Sequence, residues 1–240
     1  MAAVFSVTLL RHGQSTYNAA RRFTGWSDPP LSSRGRAEAA AAGALLADRE
    51  LDVVYCSVLT RAIQTSWLLL EASQREWVPL VKSWQLNERC YGALEGLNKE
   101  EMAEHYGVVQ LREWRRSSTL RPPPLTLDDP RHPANDARYA RLGVPASALP
   151  AAESLAEAGA RVVPFWEGTI RPAVVAGQRC LVVAHGNALR ALIKHLDGAS
   201  DEEIAQIELP TATPLVYEFD AGMRPVHKFF IPRVDGSDGE

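Results

Sequence analysis

Three segments of the chain share one pattern: a short apolar run, a tight junction with a basic residue, then a stretch that continues as helix or turn. Residues 4–10 run into Arg11-His12-Gly13. Residues 51–56 run through Ser57 to Arg61 and a helical stretch over 62–72. Residues 180–184 run into His185-Gly186-Asn187 and an amphipathic stretch over 188–196. Runs this short, rich in Val and Leu and followed by helical periodicity, predict buried parallel strands. Residues 78–85 and 214–219 are further strand candidates. Ser32 or Ser33 can cap a helix over 34–49, and 153–175 reads as helix, broken or kinked by Pro164 and Pro172. Residues 119–133, with five prolines, show neither period and read as an ordered surface insertion near a site or a long loop. The whole predicts a single α/β domain over 1–240, with an insertion near 108–150 and a small, polar, frayed tail over 232–240.

Composition changes this picture little. With 240 residues, 46% hydrophobic and 23% charged, the chain can bury a proper core and is not a disordered sequence. Its formal net charge of −3 offers no basic footprint for nucleic acid. Cys56, Cys90 and Cys180 are too few and too widely spaced for a disulfide framework or a C-x-x-C site, which points to a reducing compartment. The first apolar run is too short to span a membrane, and its basic residues follow it instead of preceding it as in a secretory signal. A cytoplasmic protein with small-molecule partners, and with neither nucleic acid nor membrane, is the expectation. The six histidines form no H-x-x-x-H or H-E-x-x-H pair and the acidic residues no calcium loop, so no metal is expected. Phosphate-loop and dinucleotide glycine motifs are absent too.

Chemistry enters at the three junctions. In open α/β sheets, ligands bind outside the carboxyl ends of the strands, where helix N-termini also point. The junctions place Arg11, His12, Arg61 and His185 at such ends. If the strands are neighbours, two imidazoles and two guanidiniums meet in one small volume, which makes a phosphate pocket. A neutral imidazole there can attack phosphorus while the other cationic groups hold the transferring oxygens. Singly, a strand-end histidine is more often structural and a helix-opening arginine more often solvated. Three like junctions are a stronger sign than any one.

The segment Arg11-His12-Gly13-Gln14-Ser15-Thr16-Tyr17-Asn18, read with His185-Gly186-Asn187, resembles the histidine phosphatase superfamily. Further words are similar to those of its cofactor-dependent phosphoglycerate mutases. They are Arg22-Phe23-Thr24-Gly25-Trp26, Ser57-Val58-Leu59-Thr60-Arg61-Ala62-Ile63, Leu86-Asn87-Glu88-Arg89-Cys90-Tyr91-Gly92, Gly96-Leu97-Asn98-Lys99, Trp114-Arg115-Arg116 and Leu209-Pro210-Thr211. The resemblance covers residues 7–230. It implies a three-layer α/β fold, a mostly parallel mixed sheet with helices on both faces. It implies interconversion of 3-phosphoglycerate and 2-phosphoglycerate in glycolysis and gluconeogenesis, primed by 2,3-bisphosphoglycerate without a metal, in a homodimer or homotetramer. In that pattern His12 carries the phosphoryl group, Glu88 is the general acid and base, and His185, Arg11 and Arg61 hold the group in transfer. Asn18, Thr24, Gly25, Gly186 and Asn187 match its phosphate and substrate contacts, and Tyr91, Lys99, Arg115 and Arg116 match contacts to the rest of the substrate.

A phosphoglycerate has a phosphate and a carboxylate, so two positive subsites are required: Arg11 and Arg61 with the two histidines, then Lys99 with Arg115 and Arg116. Neighbours on an ideal helix face different ways, so one of the last two serves substrate while the other pairs structurally. The proline-rich insertion can cover the pocket. Without the resemblance, Glu88 reads as readily as a surface carboxylate paired with Arg89. Cys90 stands where the mutases usually have His, Thr60 where Lys or Gln is common, and Ser15 agrees with the mutase pattern. The competing readings are a broad phosphomonoesterase of the same superfamily and a phospholigand-binding protein without catalysis.

Overall fold

A computed structural model of the chain describes residues 4–232; the predicted frayed tail lies outside them except for its first residue. Six strands, β1 (Phe5–Arg11), β2 (Val53–Cys56), β3 (Leu80–Lys82), β4 (Cys180–Ala184), β5 (Leu215–Phe219) and β6 (Pro225–Phe230), form one sheet in the order β3-β2-β4-β1-β5-β6. The first four in that order are parallel; β5 and β6 are antiparallel to their neighbours. β2 and β4 are buried at every position, which is why their sequences are continuous apolar runs. Arg11 lies level with Ala184, and Cys56 with Val183, so the three junctions open on one edge of the sheet.

The helices are α1 (Thr16–Ala19), α2 (Ser33–Leu45), α3 (Thr60–Ala72), α4 (Lys99–Tyr106), α5 (Val108–Arg116), α6 (Ala137–Arg141), α7 (Leu155–Phe165), α8 (Arg171–Val175), α9 (Gly186–Asp197) and α10 (Asp201–Gln206). On one sheet face, Leu10, Val54, Leu181 and Val183 pack with Ala42 of α2 and Leu69 of α3. On the other, Val7, Leu9, Tyr55 and Val182 pack with Val162, Phe165 and Trp166 and with Leu189 and Leu192 of α9. The result is the expected three-layer α/β fold. Among the described residues, no helix is long and apolar enough to cross a membrane.

Two local expectations are refined and one further strand appears. Residues 78–85 yield only three strand residues before a single tight helical turn, Trp84–Leu86, which Ser83 caps. The helix over 153–175 is not broken at its prolines: a wide turn, Trp166–Ile170, joins α7 to α8. Pro164 lacks an N–H to donate, and the chain widens directly after it; Pro172 sits in the first turn of α8, where that loss costs least. Strand β6 had no periodic signal because it is an edge strand with five of its six residues exposed. The proline-rich segment is an ordered strap: the Pro123 carbonyl accepts from the Ala93 amide at 2.8 Å, and the Leu125 amide donates to the Ala151 carbonyl at 3.0 Å.

The first turn of α2 is pressed against the turn after β1. Ser32 caps α2 through the Gly35 amide, and a Cβ on Gly35 would lie 1.9 Å from the Gln14 carbonyl oxygen. Backbone cannot yield as a side-chain tip can. Gly35→Ala should therefore lower the unfolding free energy by about 1–3 kcal/mol, read from denaturant midpoints. Gly168→Ala, where an added Cβ meets nothing within 4 Å, should stay within about 0.5 kcal/mol of the parent. Equal midpoints for the two variants would refute the packing account.

Candidate active site

His12 follows β1 directly, and backbone bonds fix it there. Its amide donates to the Ala184 carbonyl at 3.0 Å, the Arg11 carbonyl accepts from the Ala212 amide at 2.8 Å, and the Gly13 amide donates to Thr65 Oγ1 at 3.1 Å. The imidazole is buried, with Nδ1 2.6 Å from the Gly13 carbonyl oxygen. A carbonyl only accepts, so Nδ1 carries the proton and Nε2 presents a lone pair, to which Arg61 Nε donates at 3.3 Å. Burial, then Arg61 and Arg11, hold His12 well below the usual histidine range, so the ring is neutral.

Arg61 enters in the first turn of α3 and is completely buried. Its Nη1 donates to the Ser27 carbonyl at 2.9 Å and Nη2 to the Gly25 carbonyl at 2.7 Å. Those carbonyls are placed by Glu95, whose carboxylate accepts from the Trp26, Ser27 and Tyr91 amides. Gly25 has φ of 53°, and a Cβ there would lie 2.0 Å from Glu95 Oε1. Glycine is therefore required at this turn. The neighbouring Thr60, a departure from the mutase pattern, bonds Asp28 through both its amide and hydroxyl.

His185 directly follows β4 and precedes α9, its ring centroid 4.9 Å from that of His12. Its Nε2 meets Ser57 Oγ at 2.7 Å, and Nδ1 is buried with no hydrogen-bond partner among the described residues. Burial, then Arg61 and His12, push His185 well below its ordinary value. Glu88 lies in the loop after the Trp84–Leu86 turn. Trp26 Nε1 and Arg161 Nη2 donate to its backbone carbonyl at 2.6 and 2.8 Å, and Arg161 also holds the Gln85 and Asn87 carbonyls and the Glu153 carboxylate. The Glu88 carboxylate Oε1 accepts the Arg89 and Asn187 amides at 2.8 and 3.0 Å. Glu88 is thus not a surface partner of the Arg89 side chain. Arg89 is buried, its guanidinium 4.5 Å from the Tyr91 ring centroid, with Nε and Nη1 unpartnered among the described residues.

One cavity of about 130 Å³ collects the candidates. Arg11, His12, Asn18, Thr24, Gly25, Arg61, Glu88, Tyr91, Lys99, Arg115, Arg116, Gly186 and Asn187 all line it; His185 is not among the lining residues, its ring lying 4.9 Å from that of His12. Asn187 Nδ2 donates to Tyr91 Oη at 3.2 Å, joining the start of α9 to the Glu88 loop. Lys99 lies 5.8 Å from the Phe23 ring centroid, and burial pushes its ammonium down. The two adjacent arginines divide as helix geometry requires. Arg116 pairs with Glu208 and donates to the Ala205 carbonyl, whereas the Arg115 side chain has no ion-pair partner among the described residues.

Phe23, Arg190 and Glu208 also line the cavity and were missed. Arg190 lies four positions after Gly186 on α9, so helical spacing from the junction could have found it. Glu208 follows α10 in an irregular segment, with no pattern to flag it. The proline-rich strap is not part of the cavity lining; α4 and α5 supply that wall instead. Six cationic side chains face two carboxylates in this cavity, a setting for a polyanion. Among the described residues, no group of three or more His, Cys, Asp or Glu could hold a metal ion. Chemically, the arrangement offers a neutral imidazole lone pair inside a positively charged recess, which suits attack on an electrophilic phosphorus.

The sequence profile of the histidine phosphatase superfamily, branch 1, matches residues 7–134 and 125–231. Among solved structures, the chain is similar to a mycobacterial glucosyl-3-phosphoglycerate phosphatase, with a TM-score of 0.70 and 24% identity over 89% of this chain and 92% of that one. It is similar to the alpha-ribazole phosphatase of Shigella flexneri, with a TM-score of 0.68 and 22% identity over 98% and 100%. It is also similar to a phosphoglycerate mutase of Bacillus anthracis, with a TM-score of 0.64 and 24% identity over 90% and 89%. These likenesses identify the fold as phosphoglycerate mutase-like. With the profile covering nearly the whole of it, the chain belongs to the histidine phosphatase superfamily, branch 1.

Proposed function

We propose that the chain is a 2,3-bisphosphoglycerate-dependent phosphoglycerate mutase that interconverts 3-phosphoglycerate and 2-phosphoglycerate through phosphohistidine at His12. The observation that carries this reading is the cavity's two sets of cations around one nucleophilic imidazole: Arg11 and Arg61 beside His12, then Lys99, Arg115 and Arg116. A phosphomonoesterase needs only the first set; a mutase must also hold the carboxylate and second phosphate of its substrate.

In this mechanism His12 Nε2 attacks phosphorus in line, with Arg11, Arg61 and His185 stabilising charge on the transferring oxygens. Glu88 gives a proton to the leaving oxygen and takes one from the incoming hydroxyl. The residues fit the priming bisphosphate: Arg11 Nε and His185 Nδ1 are buried donors or acceptors without partners among the described residues. The primer would be held by Arg11, Arg61, Lys99, Arg115 and Arg116, and it supplies the first phosphoryl group. A cytoplasmic setting and a dimer or tetramer belong to the same reading.

A second reading, a phosphatase for bulkier esters, draws on one feature. An outer cavity of about 590 Å³ shares Asn18, Lys99, Arg115, Arg116 and Glu208 with the inner one, leaving room for a larger alcohol. Two of the solved structures named above are those of phosphatases.

Three outcomes test the proposal. Supplied with 2,3-bisphosphoglycerate, the protein should gain one acid-labile, base-stable phosphoryl group. Peptide mapping should place it on His12, and labelling that survives His12→Ala would sink the assignment. Secondly, in a coupled assay with the primer present, conversion of 3-phosphoglycerate to 2-phosphoglycerate should exceed release of inorganic phosphate. Arg115→Ala with Arg116→Ala should raise KM by roughly tenfold, about 1–2 kcal/mol for partly exposed contacts, and increase the share of phosphate released. If the parent protein releases phosphate faster than it isomerises, the phosphatase reading replaces the mutase. Thirdly, stability should depend on pH in a defined direction. His12 and His185 are held below their ordinary value in the folded chain. The unfolded chain therefore binds more protons as pH falls through about 6.5, and stability drops from there downward. Denaturant unfolding between pH 8 and 5 should show this loss, with a shallower slope in His185→Gln; parallel slopes would refute it.

A further inference from the structure

The junction that delivers Arg61 also delivers Ser57, directly after β2, and both are completely buried. Ser57 is not part of the cavity lining, yet its hydroxyl oxygen lies 2.7 Å from His185 Nε2. The same oxygen accepts the Leu59 amide at 3.2 Å. We propose that Ser57 is a positioning residue that sets the tautomer of His185: its hydroxyl donates to Nε2, so the ring's proton resides on Nδ1, ready to donate to a phosphoryl oxygen. This rests on the phosphoryl-transfer reading of the site.

Counting protons carries the argument. A serine hydroxyl has one hydrogen, and Ser57 Oγ already accepts from the Leu59 amide. Among the described residues, the only acceptor within reach of that hydrogen is His185 Nε2. The reverse arrangement, with Nε2 donating to Oγ, would leave the hydroxyl hydrogen buried without an acceptor, which is costly. The ring is neutral, because burial and the positive charges of Arg61, Arg161 and Arg11 oppose a second proton. A neutral ring with Nε2 accepting must carry its proton on Nδ1. That is the nitrogen buried without a partner among the described residues, in a ring 4.9 Å from that of His12, which leaves it as the one to meet a phosphoryl group bound there. A bare lone pair at the same place would repel phosphoryl oxygens. The hydroxyl thus decides whether His185 attracts or repels the transferring group.

The test reads the tautomer directly, in the full chain without ligand. Ring nitrogen NMR on histidine-labelled protein, with the His185 signals assigned by their absence in His185→Gln, should show Nδ1 protonated and Nε2 unprotonated. Ser57→Ala should shift the ring toward the Nε2-protonated form, and Ser57→Thr, which keeps the hydroxyl, should restore the parent pattern. Phosphorylation of His12 by 2,3-bisphosphoglycerate should slow by about 10–100-fold in Ser57→Ala, with KM within twofold and recovery in Ser57→Thr. Nε2 protonated in the parent protein would overturn the proposal even if no Ser57 variant folds; so would an unchanged tautomer in Ser57→Ala. A chain whose His12 never becomes phosphorylated would remove the phosphoryl-transfer reading instead, while the tautomer measurement would still stand.

Discussion

A guanidinium with no exposed surface and, among the described residues, no ion-pair partner organises this molecule. Burying a charge is expensive unless hydrogen bonds replace the lost water. For Arg61 they come from two backbone carbonyls, Gly25 and Ser27, and from the His12 ring. A carbonyl pair aimed at one point demands a sharply shaped loop. That demand accounts for the positive φ at Gly25 and for the buried Glu95 carboxylate that gathers three amides around the turn. Burial pushes the Glu95 carboxyl up, and the amide bonds work against it. Burial is the main reason that both imidazoles stay neutral, and because the carbonyls do not cancel its charge, Arg61 adds its positive field at His12 and His185.

A second buried cation does for the Glu88 loop what the carbonyls do for Arg61, by the opposite arrangement. Arg161 is paired with Glu153 at 2.8 Å, and its remaining donors act as a clamp on the carbonyls of Gln85, Asn87 and Glu88. Glu153 closes the loop from the other side by accepting the Cys90 amide. Cys90 itself packs beside Trp26, Val58 and Tyr139, which lets a small thiol stand where the mutase pattern has an imidazole. Arg161, with its carboxylate, therefore chiefly supplies shape and adds only a smaller share to the field on His185, whereas Arg61, without one among the described residues, is the stronger source of field.

The parts legible in the sequence were those where burial leaves a pattern. Continuous apolar runs marked β1, β2 and β4, and the basic junctions after them located Arg11, His12, Arg61 and His185 without any relative in view. Glu88, Tyr91 and Lys99 lie on irregular loops or at a helix start, so only the resemblance singled them out. Strand β6 escaped because an exposed edge strand needs no alternation. At Pro164 the sequence left a break or a kink open; the break does not occur, because proline forbids one hydrogen bond, not the helix, and a wide turn absorbs the loss. Glu208 and the Ser57–His185 contact depend on which segments meet in space, which local periodicity does not encode.

The two ends of the cavity are built differently, and the difference matches what phosphoryl transfer with reorientation would require. His12, Arg61 and His185 stand on sheet ends and first helical turns, are buried, and are fixed by backbone bonds. In-line attack tolerates little error, and rigid elements hold such geometry best. Lys99, Arg115 and Arg116 stand on two short helices at the rim, with Arg115 exposed and Arg116 shared with Glu208. On the proposed mutase reading, long, partly solvated side chains would follow a ligand whose charged groups exchange places, and Glu208 would give Arg116 an alternative anion. Rigid fixation of phosphorus and adjustable grip on the remainder are opposed demands, and on that reading placing one set on the sheet and the other on its edge would meet both.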